Sequence, residues 1–296
     1  MFASIRPPEM AEDKVLRVAL CQMKVGSHKQ TNHKTAVGLI EEAIKEHGAE
    51  LVILPECFNS PYGTQYFPEY AEKIPEGRTC ELMGATAKRH GIWLIAGSIP
   101  EKAADGKLYN TSVTFNPQGE IVGTYRKLHL FDINIPGKIT FKESETLSPG
   151  SNFLAFQVTN KAGDPFTVGI GICYDVRFSE LALVYSRQMN ADLIVYPGAF
   201  NTTTGPLHWE LLARGRALDN QCYVAMCSPA QDLGASYVSH AESLVVSPWA
   251  AVLANAGKNE AVIAVDVSRN ELERVRSNVP MRTQFRNDMY TLTAKK

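Results

Sequence analysis

The 296-residue chain reads as an α/β protein in which helices cover mixed β-sheets. Short strands that are apolar on both faces alternate with amphipathic stretches, so both strand faces are expected to be buried. Two pairs of consecutive strands are joined by tight turns, so the sheets cannot be purely parallel. The same succession then runs through the chain twice. This is the pattern of two similar α-β halves within one domain, although chance likeness between buried strands would look much the same.

Taken in order, MFASIRPPEMAEDK (1–14) reads as a flexible leader before a single domain over 15–296. LRVALCQ is a buried strand. Val37, Ile40, Ala43, Ile44 and His47 recur at helical spacing over 31–47, and Gly48 stops the helix. AELVILPE is a strand ended by Pro55, and 76–90 is a helix stopped by Gly91. IWLIAGSI reads as the next strand. LYNTSVTF and EIVGTYRK flank the turn Asn116-Pro117-Gln118-Gly119 as a hairpin. In the second half TVGIGIC is a strand, FSELALVYSRQM a helix, ADLIVYP a strand, 206–219 a helix and QCYVAMCS a strand. A second hairpin spans 241–257, with Pro248 in the place of Pro117.

The charge balance is close to even, 30 basic against 31 acidic residues, which gives no footprint for nucleic acid or an anionic membrane. No apolar run reaches the roughly 20 residues that cross a bilayer. The N-terminus lacks the apolar core of a secretory signal, so a reduced cytoplasmic location is the default, with an additional mitochondrial pool left open. Cys21, Cys57, Cys80, Cys173, Cys222 and Cys227 form no C-x-x-C pair, and the histidines lack H-x-x-x-H spacing. No metal and no organic cofactor is therefore expected.

Three reactive side chains lie just beyond apolar strands: Glu56, Lys127 and Cys173. Functional groups gather past the carboxyl ends of strands in such proteins. Cys173 stands at a strand–turn–helix junction, where a thiol can be displayed and a nearby lysine would lower its pKa. A glutamate could carry its proton. Each residue also has an ordinary reading: packing for the cysteine, a cap for the glutamate, a solvated strand end for the lysine.

LPECFNSPYG (54–63), YRKLHLFDINIPG (125–137) and GIGICYDVRFSELA (169–182) resemble the three signature blocks of the nitrilase superfamily of carbon–nitrogen hydrolases. The likeness runs from Leu16 to about Tyr290 and is nearest to the omega-amidase branch, through ECFNSPYG, HLFDINIPGKITFKES and PGAFNTTTGP. It implies a four-layer α-β-β-α sandwich with two mixed sheets and internal pseudo-symmetry, and a homodimer packed through sheet-associated helices. It also implies hydrolysis of the terminal amide of small dicarboxylate monoamides through a cysteine thioester. A deaminated-glutathione amidase or another carbon–nitrogen hydrolase is the alternative. By this resemblance Glu56, Lys127 and Cys173 form the catalytic triad and Glu143 is the additional glutamate. Lys127 and the Tyr174 N–H hold the oxyanion. Arg177 and Tyr62 are candidates for the substrate carboxylate, with Phe200, Thr203 and Thr204 as pocket lining. An internal ion pair of Arg177 with Asp175 or Glu180 is the competing expectation, and His129 is expected to be structural. Relatives often carry Gly-His-Ser where this chain has Ala241-Glu242-Ser243, and Gly at Ala250.

Overall fold

The computed structural model describes residues 13–295, so residues 1–12 of the expected leader lie outside the described residues. Its last two residues are held in place. Asp13 accepts the Ser268 hydroxyl at 2.6 Å and the Asn270 N–H at 3.1 Å, and Lys14 pairs with Asp164 at 3.0 Å.

The first half runs β1 (Val15–Gln22), α1 (Lys29–Lys45), β2 (Leu51–Ile53), α2 (Phe67–Tyr70), α3 (Arg78–His90), β3 (Trp93–Ile95), β4 (Ile99–Lys102), β5 (Leu108–Phe115) and β6 (Ile121–Arg126). A two-stranded ribbon follows, β7 (Asp132–Ile135) and β8 (Ile139–Lys142). The second half runs β9 (Ala155–Thr159), β10 (Pro165–Ile170), α4 (Ser179–Leu183), β11 (Leu193–Pro197), α5 (Gly205–Asn220), β12 (Tyr223–Cys227), β13 (Leu244–Val246) and β14 (Val252–Asn255). The chain closes with β15 (Ala261–Ser268), α6 (Arg269–Asn278) and α7 (Met281–Gln284).

The halves repeat one topology. β1, β2 and β3 are parallel, β5 and β6 add antiparallel strands, and β15 lies antiparallel on the other edge. In the second sheet β10, β11 and β12 are parallel, β13 and β14 continue antiparallel, and β9 takes the place of β15. The period-2 alternation of β1 shows how the layers form. Leu16, Val18 and Leu20 point to the interior between the sheets, where they join a cluster with Val168, Ile170, Leu193 and Val195. Ala19 and Cys21 point outward to Ala36, Ile40 and Ala43 of α1 and Met83 and Ala87 of α3. On the far side Leu181, Ala182, Trp209, Ala213 and Ala217 of α4 and α5 cover the second sheet. Helix, sheet, sheet and helix make four layers. Each buried aliphatic side chain contributes roughly 1.5–3 kcal/mol.

Local departures from the sequence expectation have physical causes. IWLIAGSI is not one strand: it breaks into β3 and β4 at Gly97, whose φ is +44°. A Cβ there would lie 2.0 Å from the Pro55 carbonyl oxygen, so only glycine lets this bend pack on the segment carrying Glu56. The helix expected over 178–189 is α4 followed by a wider π turn, Val184–Gln188. There the Tyr185 ring lies against Gly169, whose added Cβ would meet it at 2.7 Å, and its hydroxyl donates to the Ile170 carbonyl. The ribbon β7–β8 has no counterpart in the sequence reading.

Candidate active site

Glu56, Lys127, Glu143 and Cys173 converge between the two sheets. Glu56 follows β2, beyond the helix-breaking Pro55, and Lys127 directly follows β6 with its N–H on the Asn110 carbonyl at 2.8 Å. Glu143 opens a single 3₁₀ turn, Glu143–Glu145, at the foot of the ribbon. Cys173 opens another, Cys173–Arg177, three residues past β10. Its φ of +49° is a left-handed conformation that L-residues adopt at a cost, and it turns the thiol out of the strand direction. All four side chains are buried, Cys173 at 3% exposure.

The lysine sits between the two carboxylates. Lys127 Nζ lies 3.0 Å from Glu56 Oε1, 3.0 Å from Glu143 Oε1 and 2.9 Å from Glu143 Oε2. Glu143 is filled: Oε1 also accepts the Tyr62 hydroxyl at 2.8 Å and Oε2 the Phe131 N–H at 2.7 Å. Glu56 Oε1 takes the Asn110 amide at 2.8 Å, whereas its Oε2 is buried without a conventional N–H or O–H donor among the described residues. Lys127 first, and then the Cys173 thiol, favour the charged form of Glu56. Cys173 Sγ accepts the Ala199 N–H at 3.4 Å.

Burial governs the protonation states. It pushes the Glu56 pKa up; Lys127 opposes this, while Glu143 adds to it. Burial alone would lower the Lys127 pKa, but Glu143 and Glu56 outweigh it and hold the ammonium well above its ordinary range. The Cys173 pKa is raised, first by burial and then by Glu56; Lys127 and the Ala199 N–H pull the other way without winning. The nearby lysine does lower the thiol pKa, as expected, but burial and Glu56 outweigh it. The balance at Cys173 favours the protonated thiol.

The other candidates fall into two groups. Tyr62 uses its hydroxyl on Glu143, so its ring faces the cavity, packed against Tyr237 (ring centroids 4.6 Å) and Phe141 (5.7 Å). Arg177, Phe200 and Thr204 form the second group. The Arg177 guanidinium lies 4.6 Å from the Phe200 ring centre and 5.5 Å from that of Tyr174. It reaches Thr204 Oγ1 at 3.4 Å and His208 Nδ1 at 3.1 Å. It makes no ion pair among the described residues with Asp175 or Glu180. Thr203 donates its N–H to Asn201 Oδ1 at 2.9 Å, and its side chain makes no hydrogen bond to the other candidates. A cavity of about 260 Å³ reaches in to Glu56 past Tyr62, Tyr237, Ala199, Tyr66 and Asp232.

Four contributors were missed from sequence: Asn110, the Ala199 N–H, Tyr237 and Asp175. Asp175 is fully buried and binds Tyr125 and His129, which makes His129 a partner of the fold, at 2.7 Å through Nδ1. Only the polar step after each strand hinted at any of them; strand register supplies the rest.

Comparison with known proteins follows the same lines. The family described as carbon-nitrogen hydrolase matches residues 17–277. An omega-amidase of Bos taurus is 55% identical over 281 residues, 95% of this chain and 98% of that one. The Homo sapiens omega-amidase is 53% identical over the same shares. The crystal structure of Saccharomyces cerevisiae Nit3, a member of branch 10 of the nitrilase superfamily, superposes with a TM-score of 0.83 at 40% identity, covering 92% of this chain and 97% of that one. Likeness over the full length of both partners, in sequence and in fold alike, makes this chain a member of the carbon-nitrogen hydrolase family, an amide-hydrolysing enzyme of the nitrilase superfamily.

Proposed function

We propose that the chain removes the terminal amide of small dicarboxylate monoamides, of the 2-oxoglutaramate or succinamate type, with Cys173 as nucleophile. The observation that carries the chemistry is the asymmetry of the two glutamates: Glu143 has every oxygen engaged, while Glu56 keeps Oε2 free beside the thiol. Glu56 takes the Cys173 proton as sulfur attacks the amide carbonyl. Negative charge develops on the carbonyl oxygen, held by the Lys127 ammonium and the Tyr174 N–H; one such donor is worth roughly 10²–10³ in rate. Glu56 returns the proton to the amide nitrogen, the C–N bond breaks and ammonia leaves a thioester. Water, deprotonated by Glu56, adds to the thioester; the acid departs and the thiol is restored. Glu143 keeps Lys127 charged and aimed throughout.

Arg177 supports the substrate assignment. A half-buried guanidinium with aromatic faces on two sides and no carboxylate partner among the described residues suits the remote carboxylate of such a substrate. The relatives named omega-amidase point to the same class.

Intact-mass trapping with a panel of small amides tests both parts. Wild type should gain the acyl mass of a dicarboxylate monoamide and Cys173→Ala should gain none. Acylation elsewhere in the chain, or equal turnover of deaminated glutathione and 2-oxoglutaramate, would count against the assignment. Arg177→Met should raise the KM for succinamate about 10–100-fold, the worth of a charge-assisted contact. An unchanged KM removes the carboxylate role. The partner expected for the whole molecule is a second copy of this chain.

A further inference from the structure

We infer that Asp175 is a positioning residue for the reaction, a clamp that sets the distance between the nucleophile and Lys127. The inference rests on the catalytic reading of Cys173 and Lys127 above.

The two reactive groups come from different sheets. Lys127 directly follows β6 of the first, and Cys173 follows β10 of the second. Something must fix one relative to the other, because attack needs the sulfur near 3–3.5 Å from the carbonyl while the ammonium meets the oxyanion. Asp175 spans that junction. Its Oδ2 accepts the Ile172 N–H at 2.8 Å and the Tyr125 hydroxyl at 2.8 Å. Its Oδ1 accepts the His129 N–H at 3.0 Å and lies 2.7 Å from His129 Nδ1, a contact that an ionised carboxylate makes with the Nδ1-protonated ring.

The placement of these partners is specific. Tyr125 and His129 stand two residues on either side of Lys127. Ile172 immediately precedes Cys173, and Asp175 itself lies two residues after it. One fully buried carboxylate therefore brackets both reactive side chains. The Ile172 contact also closes the turn that holds Cys173 at positive φ. Burial and the Asp175 charge keep the Tyr125 hydroxyl protonated, so it remains a donor. With four contacts on two oxygens, Asp175 has no capacity left for Arg177. That accounts for the missing ion pair and leaves Arg177 available to substrate.

The fit is tight as well as polar. A Cβ at Gly171 would come within 3.1 Å of the Asp175 Cβ and 2.5 Å of the Tyr196 ring. A side chain at position 171 would therefore displace the clamp.

The test compares Asp175→Asn and Tyr125→Phe with Leu272→Ala, a core truncation on α6 away from the site, at a temperature where all are folded. Asp175→Asn should lower kcat for succinamate about tenfold or more, since small misplacements of reacting groups carry large rate penalties. KM should stay within about twofold. Tyr125→Phe removes one of the four contacts and should lower kcat about three- to tenfold. Thioester formation measured in a single turnover should slow in step. Leu272→Ala should lose thermal stability while keeping kcat. If both clamp variants keep wild-type kcat, or if activity falls only with the folded fraction, the inference is wrong. Should Asp175→Asn fail to fold, Tyr125→Phe decides alone. Loss of activity in Cys173→Ala alongside unaffected clamp variants would overturn the clamp and leave the catalytic reading standing. Retained activity in Cys173→Ala would overturn the reading itself.

Discussion

Glu56 and Glu143 both hold Lys127, so the buried cluster contains two carboxylates and one ammonium. Removing the Glu56 charge should cost function and favour the fold. Glu56→Gln is expected to lower kcat/KM about 10²–10⁴-fold, the range of general acid–base catalysis. Its stability should run the other way with pH. The folded Glu56 pKa lies above the ordinary carboxylate value because of burial, so folding favours the protonated acid. That contribution is present below the unfolded pKa and is lost as pH rises through the folded one. The thermal midpoint of Glu56→Gln should therefore gain on wild type as pH rises through that window, then level off. The wild-type kcat/KM should show an acid limb displaced above the ordinary glutamate range. A limb at the ordinary position, or a midpoint difference that shrinks with rising pH, contradicts this account. Glu56, Lys127 and Cys173 were legible as polar steps just beyond apolar strands, but it was the resemblance to the nitrilase blocks that tied them together and supplied Glu143. Asn110, Tyr237 and Asp175 were not legible. Their contacts span 54, 38 and 50 residues and depend on the pairing of strands that no local pattern specifies.

Turns and strand ends carry the next level. Hairpins and helix stops were readable: Gly91 ends α3 in the left-handed region, and Asn116–Gly119 turns β5 into β6. Less readable were pieces whose partners are remote, such as β15, which returns to pair along all of β1. The ribbon β7–β8 stayed unread because its strands are four residues each and only half-buried in alternation. Three residues that depart from the relatives now have a geometry. Ala241, Glu242 and Ala250 have φ of +65°, +61° and +62°, and two of them stand where the resemblance implies glycine. A left-handed L-residue costs about 1–2 kcal/mol, and the greater freedom of unfolded glycine returns part of that. Ala250→Gly should accordingly stabilise by about 0.5–1 kcal/mol, a rise of roughly 2 °C in a chain of this size. The reverse logic holds at Gly97. Gly97→Ala would drive a methyl into the Pro55 carbonyl, displacing the segment that carries Glu56, and should yield insoluble or inactive protein. Differential scanning calorimetry on the first and soluble yield with activity on the second are the measurements.

At the scale of the whole molecule the four layers leave one face unfinished. α5 buries Trp209, Ala213 and Ala217 on the second sheet and presents Leu207, Leu211 and Leu218 outward at 74%, 68% and 53% exposure. These three lie on one stripe, at positions i, i+4 and i+11. Trp249 and Leu253, beside the β13–β14 turn, are exposed as well. An exposed apolar stripe of this kind marks an interaction site more often than it remains bare. Arg214, at i+7, lies on the same stripe and pairs with Glu210 at 3.4 Å, so a like face would meet a paired charge there rather than a lone ion, and a two-fold axis would set the stripe against its own copy. No helix among the described residues is long and apolar enough to cross a membrane. Sedimentation velocity should show a dimer for the wild type, and Leu211→Asp should shift it to monomer by placing two buried carboxylates at the axis. Residual activity separates the two levels of organisation. Glu56, Lys127, Glu143 and Cys173 all come from one chain, so the dissociated variant should keep the acyl-enzyme step. A wild type that sediments as a monomer at micromolar concentration rules the dimer out. A Leu211→Asp protein that remains dimeric moves the interface to another face.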